Sequence, residues 1–201
     1  MPQHAPLSPS RSLLQANLQH AQAVLESCAD LHEPLSRAAS LVSTAIQNGA
    51  KVLACGNGGS AADAMHLTTE FVCRFKDDRK PYPAICLNAS GGDLTAIGND
   101  YGFDQVFARQ VQAFGRKGDV LLVFTTSGNS GNVLHALEAA RQIGITSVAF
   151  LGRGGGHCVS KADVDLIVPG DVAVARIQEA HKVLLHTLCE LVEAEVESAR
   201  P

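Results

Sequence analysis

Apolar residues recur every three or four positions over residues 12–28, at Leu14, Leu18, Ala21, Val24, Leu25 and Cys28, the spacing of one helical face. The same period returns over residues 35–48 through Ala38, Leu41, Val42, Ala45 and Ile46, and Gly49 stops it. The chain is therefore predicted to open with a helix pair. The pattern then changes to five short, nearly continuous apolar runs, at residues 52–55, 84–87, 120–124, 147–151 and 164–168. Helical segments are predicted between them, clearest at 61–75, 105–114 and 132–143, and a long helix over about 176–197. Short apolar runs alternating with helices predict parallel strands covered on both faces. Right-handed crossovers fold them into an α/β three-layer αβα sandwich around a five-stranded parallel sheet. No repeat, low-complexity run or linker interrupts the pattern, so residues 1–201 are read as one domain, with residues 1–12, carrying Pro2, Pro6 and Pro9, as a flexible tail.

Composition narrows the function. A hydrophobic fraction of 46% with 18% charged residues is globular, and the longest apolar runs are too short for a transmembrane helix. Sixteen Lys+Arg against 20 Asp+Glu give a formal charge of −4, without the basic stripe that sequence-independent nucleic-acid binding needs. There is no Trp, and aromatic residues are 4%, which argues against a base-stacking surface. The six cysteines are scattered with no C-x-x-C pair, and residues 1–12 carry no apolar leader core. Reduced thiols and a cytoplasmic location are the expectation.

Ligands of such sheets bind beyond the carboxyl ends of the strands, near the topological switch point. Two strand-to-helix loops are candidates. Gly56-Asn57-Gly58-Gly59-Ser60-Ala61 matches a dinucleotide fingerprint, yet the second strand ends Leu87-Asn88 without the acid that would hold a ribose. Thr125-Thr126-Ser127-Gly128-Asn129-Ser130 puts four hydroxyls around one glycine at a predicted helix start. Free N–H groups and the helix dipole make an anion site there, and the lack of Lys suits a small sugar phosphate better than a polyphosphate. The plainer alternative is that Ser130 is an N-cap and the rest a turn. His66 and Glu70 lie i,i+4 on the helix after the first loop, a pair that suits zinc or acid–base chemistry, or a simple surface hydrogen bond. Cys73 continues that face and is read as core-facing rather than as a ligand. Gln178, Glu179, His181 and His186 lie in the last helix, where each alone reads as an ordinary helical residue.

Taken together, Gly56-Asn57-Gly58-Gly59-Ser60, Asp63-Ala64-Met65-His66, Thr126-Ser127-Gly128-Asn129-Ser130 and Arg176-Ile177-Gln178-Glu179 resemble the sugar isomerase (SIS) domain, and within it the phosphoheptose isomerase family. The resemblance spans nearly the whole chain and implies a flavodoxin-like sheet of five parallel strands. It implies an aldose–ketose isomerase acting on sedoheptulose 7-phosphate, giving D-glycero-D-manno-heptose 7-phosphate for lipopolysaccharide core or a related glycan. Carried over by motif, it implies one zinc ion per subunit held by His66, Glu70, Gln178 and His186, with Glu70 and His186 moving the protons. It further implies substrate contacts from Asn57, Gly58, Gly59, Ser60, Glu70, Asn99, Asp100, Thr125, Thr126, Ser127, Ser130 and Gln178, and a homotetramer. Without the resemblance, Asn99-Asp100 reads as a glycine-flanked turn and Arg74 as an exposed helix-end cation. Thr125 stands where many members have Ser, which keeps the hydroxyl. Ala175 stands where some carry an acid, so one polar contact to the sugar is expected to be missing.

Gln178 and His186 are eight residues apart, about 12 Å along a straight helix. Either the helix begins after Gln178 or the site draws on more than one subunit, and we expect the latter. The competing reading is a non-catalytic SIS regulator of the kind that binds a replication initiator. Such a protein shares the glycine loop and the R-I-Q-E stretch but lacks the acid and the last histidine, whereas Glu70 and His186 are present here. Sugar-phosphate sensors and amino-sugar isomerases of the SIS class carry extra domains or a different catalytic region.

Overall fold

The computed structural model describes residues 8–199. The strands are β1 (Val52–Gly56), β2 (Ala84–Cys86), β3 (Val120–Thr125), β4 (Thr146–Leu151) and β5 (Val164–Ile167). All pair in parallel, in the order β2-β1-β3-β4-β5. Val52 is in register with Ala84 on one side and Val120 on the other, and Val120 with Thr146. This is the doubly wound order whose switch point lies between β1 and β3. The helices are α1 (Pro9–Ser27), α2 (His32–Gln47), α3 (Gly59–Val72), α4 (Gly91–Tyr101), α5 (Ala108–Phe114), α6 (Gly131–Ile143) and α7 (Val174–Ser198).

Strand alternation sorts the core into two layers. Val52, Ala54, Val120, Leu122, Phe124, Val148 and Phe150 face α2, α3 and α7, with Phe124 and Phe150 stacked at 4.4 Å. Leu53, Cys55, Leu121, Val123, Ala149 and Leu151 face α5 and α6. Both sets are essentially fully buried, which is why the strands read as unbroken apolar runs rather than as alternating ones. Among the described residues no helix is long and apolar enough to cross a membrane.

Three local expectations change. Ser8 caps α1 through the Arg11 N–H, and Pro9 begins the helix, so Pro9 to Ser12 are helical rather than tail. Residues 1–7 of that expectation lie outside the described residues. The third helix is shifted: α3 starts at Gly59 and ends at Val72, because Cys73 leaves the helical region at ψ −97. The stretch read as a glycine-flanked turn is the end of α4, which is capped by Ser90 accepting from Asp93 N. None of its residues is fully buried, and only Leu94 and Ile97 pack, partly buried, against the core, too short an apolar pattern to mark a helix.

Candidate active site

β1 and β3 are neighbours, yet α3 and α6, which follow them, cover opposite faces of the sheet. The two loops therefore part from each other and open a cleft at the switch point. Its floor is tied by a reciprocal amide pair: Asn57 donates to Asn132 Oδ1 at 2.8 Å, and Asn132 donates to Asn57 Oδ1 at 2.9 Å. Asn88, where a dinucleotide site would need an acid, spends its amide on the scaffold. It accepts from Gly56 N at 3.2 Å and donates to Gly56 O at 2.9 Å, extending the β1–β2 pairing by one step.

The second loop is built from its own hydroxyls. Thr125 is buried; its Oγ1 accepts from Gly128 N at 3.1 Å and lies 3.3 Å from Ser130 Oγ. Ser127 Oγ accepts from Asn129 N at 3.2 Å. Ser130 holds the N-cap position of α6, but its side chain makes no capping bond. The first amides of α6 are thus left without a side-chain acceptor, the condition for an anion site rather than a plain cap. Gly128 has φ +66, and a Cβ there would overlap the Gly155 carbonyl. Cys158 N donates to Gly128 O at 2.9 Å and His157 N to Asn129 Oδ1 at 3.0 Å, so the 152–158 turn backs the loop. Sequence reasoning missed this support; its signal was the run Gly152-Arg153-Gly154-Gly155-Gly156.

α3 and α7 both start at the carboxyl edge of the sheet and run side by side in parallel. Their contacts form a ladder. The Gln178 amide lies on Gly59, where a Cβ would overlap it. Lys182 Nζ pairs with Asp63 Oδ1 at 2.8 Å. His186 Nε2 meets His66 Nε2 at 2.9 Å. Steps of four and three residues along α3 match steps of four along α7, so the two helices turn in phase.

The upper rung holds the chemistry. His66 Nε2 is 3.2 Å from Glu70 Oε1 and 2.9 Å from His186 Nε2, and the Phe75 ring lies 5.3 Å from the His186 ring. Glu70 and His66 are partly open, with side chains 20% and 38% exposed. Burial, then the neighbouring His66 and Lys182, hold His186 below its usual pKa and favour the neutral ring. Two imidazole nitrogens and a carboxylate oxygen are a donor set that suits zinc. Their spacing here is that of hydrogen bonds; among the described residues no three His, Cys, Asp or Glu side chains are spread as a metal cage.

α7 begins at Val174, ahead of Gln178, so Gln178 and His186 do share one helix. Gln178 stays at the Gly59 rung, about two turns from the cluster, and within one chain it does not join His66, Glu70 and His186. Ser60 is buried in the first turn of α3. Asn99 and Asp100 are exposed at the end of α4 and bonded to each other at 2.8 Å, outside the cluster. Arg74 is exposed beyond α3 and donates to Lys76 O at 3.0 Å. Cys73 is exposed rather than core-facing. His181 is wholly buried between α7 and the sheet, donating from Nε2 to Leu151 O at 3.2 Å.

The SIS domain model matches residues 18–152. Phosphoheptose isomerase from Bordetella avium is 48% identical over 187 residues, covering 91% of this chain and 94% of its own. The chain belongs to the phosphoheptose isomerase family. Solved structures of family members follow it closely. Phosphoheptose isomerase from Neisseria gonorrhoeae superposes with a TM-score of 0.86 at 40% identity, over 92% of this chain and 98% of that one. The one from Francisella tularensis gives 0.87 at 36% identity, over 93% and 100%.

Proposed function

We propose that this sugar-phosphate isomerase interconverts sedoheptulose 7-phosphate and D-glycero-D-manno-heptose 7-phosphate, in the cytoplasm, as a supply of heptose for lipopolysaccharide core or a related glycan. The observation that carries the reading is the meeting of His66, Glu70 and His186 on the α3–α7 surface, in a chain whose β3–α6 loop sets hydroxyls at a helix start without a side-chain cap. Aldose–ketose isomerisation moves a proton between C1 and C2 through an enediol, while the carbonyl oxygen gains a proton and the neighbouring hydroxyl gives one up. It needs an acid, a base and a positive partner for the developing oxyanion.

Glu70 and His186 are the two proton carriers in this reading. A neutral His186 can accept a proton as soon as substrate arrives, and Glu70 is open enough to reach it. Thr126, Ser127 and Ser130, with the α6 amides, take the phosphate; Thr125 shapes the loop from beneath. Asn57, Gly58, Gly59 and Gln178 line the glycine-loop side of the sugar. His66, Glu70 and His186 supply ligands for one zinc ion per subunit, and Gln178, two turns lower, serves the sugar unless the assembly brings it closer. A zinc ion held by these residues would supply Lewis-acid chemistry.

Assembly as a homotetramer completes the site in this reading, bringing Asn99 and Asp100 to the sugar. One feature supports it. The cluster lies open on the α3–α7 surface, flanked by the exposed apolar side chains of Met65, Val72 and Val183. A single chain thus leaves the reacting groups partly exposed at its surface.

Incubation with sedoheptulose 7-phosphate, followed by NMR or chromatography, is expected to give the aldose; no aldose from a folded, zinc-loaded sample overturns the reading. Chelation to verified metal-free protein is expected to abolish turnover, and added zinc to restore it. Unchanged turnover without metal leaves proton chemistry alone.

A further inference from the structure

We propose that Arg79, paired with Glu193, is a positioning residue that holds Glu70 and His186 in working alignment. The inference rests on the isomerase reading above. Arg79 lies past the end of α3, and its side chain is 2% exposed. A buried guanidinium demands partners, and each of its nitrogens has one. Nε donates to Glu193 Oε1 at 2.6 Å. Nη2 donates to the Glu70 carbonyl at 2.8 Å, and Nη1 to the Phe71 and Lys80 carbonyls at 3.0 and 3.1 Å. The plane lies over the Tyr82 ring, 3.7 Å from its centroid.

The carbonyls of Glu70 and Phe71 belong to the last turn of α3, where the helix itself offers no donors. Arg79 closes that end and places a positive charge at the negative pole of the helix. It thereby fixes the backbone from which the Glu70 side chain springs. Glu193 does the matching work from α7. Its Oε1 also accepts from Phe75 N at 3.0 Å, and its Oε2 from Lys76 N at 3.4 Å. These bonds pin the 75–76 backbone to α7 two turns beyond His186, with the Phe75 ring against the His186 ring. One buried ion pair thus reaches both proton carriers, the first through a carbonyl and the second through an aromatic ring. A planar fork suits three carbonyls and a carboxylate; an ammonium does not.

The test uses Arg79→Lys, Arg79→Ala and Glu193→Gln in the full chain, with Lys76→Ala as control. Lys76 forms an exposed ion pair with Glu190 from the same segment. In Arg79→Lys and Arg79→Ala, kcat is expected to fall ten- to a hundredfold while KM stays within threefold, the pattern of misplaced groups rather than lost binding. Glu193→Gln keeps the shape and an acceptor, and is expected to lose less. A second readout needs no turnover. The His186 ring-proton NMR signals carry the ring current of Phe75, and in Arg79→Lys they are expected to move in the same direction as in Phe75→Leu. The proposal is overturned if folded Arg79→Lys keeps kcat within twofold, if its His186 signals stay in place, or if Lys76→Ala loses as much as Arg79→Lys. Should Arg79→Ala fail to fold, Arg79→Lys and Glu193→Gln still decide. A wild-type chain inactive on the heptose phosphate, with the NMR shift present, fails the isomerase reading and leaves the positioning intact.

Discussion

At the scale of single residues, histidines of one helix have opposite duties. His186 sits on the open α3–α7 surface beside Glu70 and His66, where a proton can come and go. His181, five residues earlier, faces the stacked rings of Phe124 and Phe150, with Nδ1 buried and unpartnered. Replacing Glu70 by Gln keeps the shape and removes the proton site, and His186→Ala removes the ring. Each is expected to cost about 10²–10⁴-fold in kcat with the fold retained, as checked by steady-state kinetics and circular dichroism. Burial holds the His181 pKa below its ordinary 6.5. Between the native and unfolded values the unfolded chain binds a proton that the native chain does not, so stability rises with pH and is lost as pH falls below about 6.5. Denaturant unfolding at pH 7.5 and 5.0 is expected to show a larger loss in the wild type than in His181→Gln, which keeps a donor for Leu151 O but does not titrate. Equal losses would clear His181 of the effect.

At the scale of elements, the decisive object is the parallel α3–α7 pair. The two helices are adjacent only because β1 is a central strand and α7 returns across the same face from β5. Small and charged residues mark their phase beside the shared apolar core. Gly59 admits the Gln178 amide, and Asp63 takes Lys182. Gly59→Ala adds one methyl to the first turn of α3, where alanine is a good helix residue. Its cost is expected in function: the Gln178 amide must swing away from the glycine loop. We expect kcat/KM for the sugar phosphate to fall about tenfold, roughly 1.4 kcal/mol of transition-state stabilisation, with little change in melting temperature. A melting temperature lowered by many degrees with kcat/KM intact would show that Gln178 packs there without serving the sugar.

At the scale of the whole molecule, the sheet and its two cores make a stable platform and leave the reacting groups at its surface. Met65, Val72 and Val183 are about half exposed around them, and Leu13, Leu14 and Leu18 are more exposed still along α1. Association that covers such side chains is favoured at about 25 cal/mol per Å² of apolar area. Light scattering is expected to give four times the chain mass, and Met65→Glu with Val183→Glu is expected to lower both that mass and the turnover. A fully active monomer would remove the shared site. The strands, both strand-end loops and the first and last helices were legible in the sequence, because burial on two faces, helical periodicity and glycine- and hydroxyl-rich turns each leave a local mark. α4 left only a faint one, since just Leu94 and Ile97 pack, partly buried, against the core. The His66–Glu70 pair was legible as an i,i+4 spacing, and its link to His186 only through likeness to a family. That the imidazoles meet, that Gln178 falls on Gly59, and that Arg79 and Glu193 clamp the end of α3 were decided by tertiary structure alone. Local sequence fixes the period of each helix, but the phase between two helices more than a hundred residues apart depends on the strand order that lays them side by side.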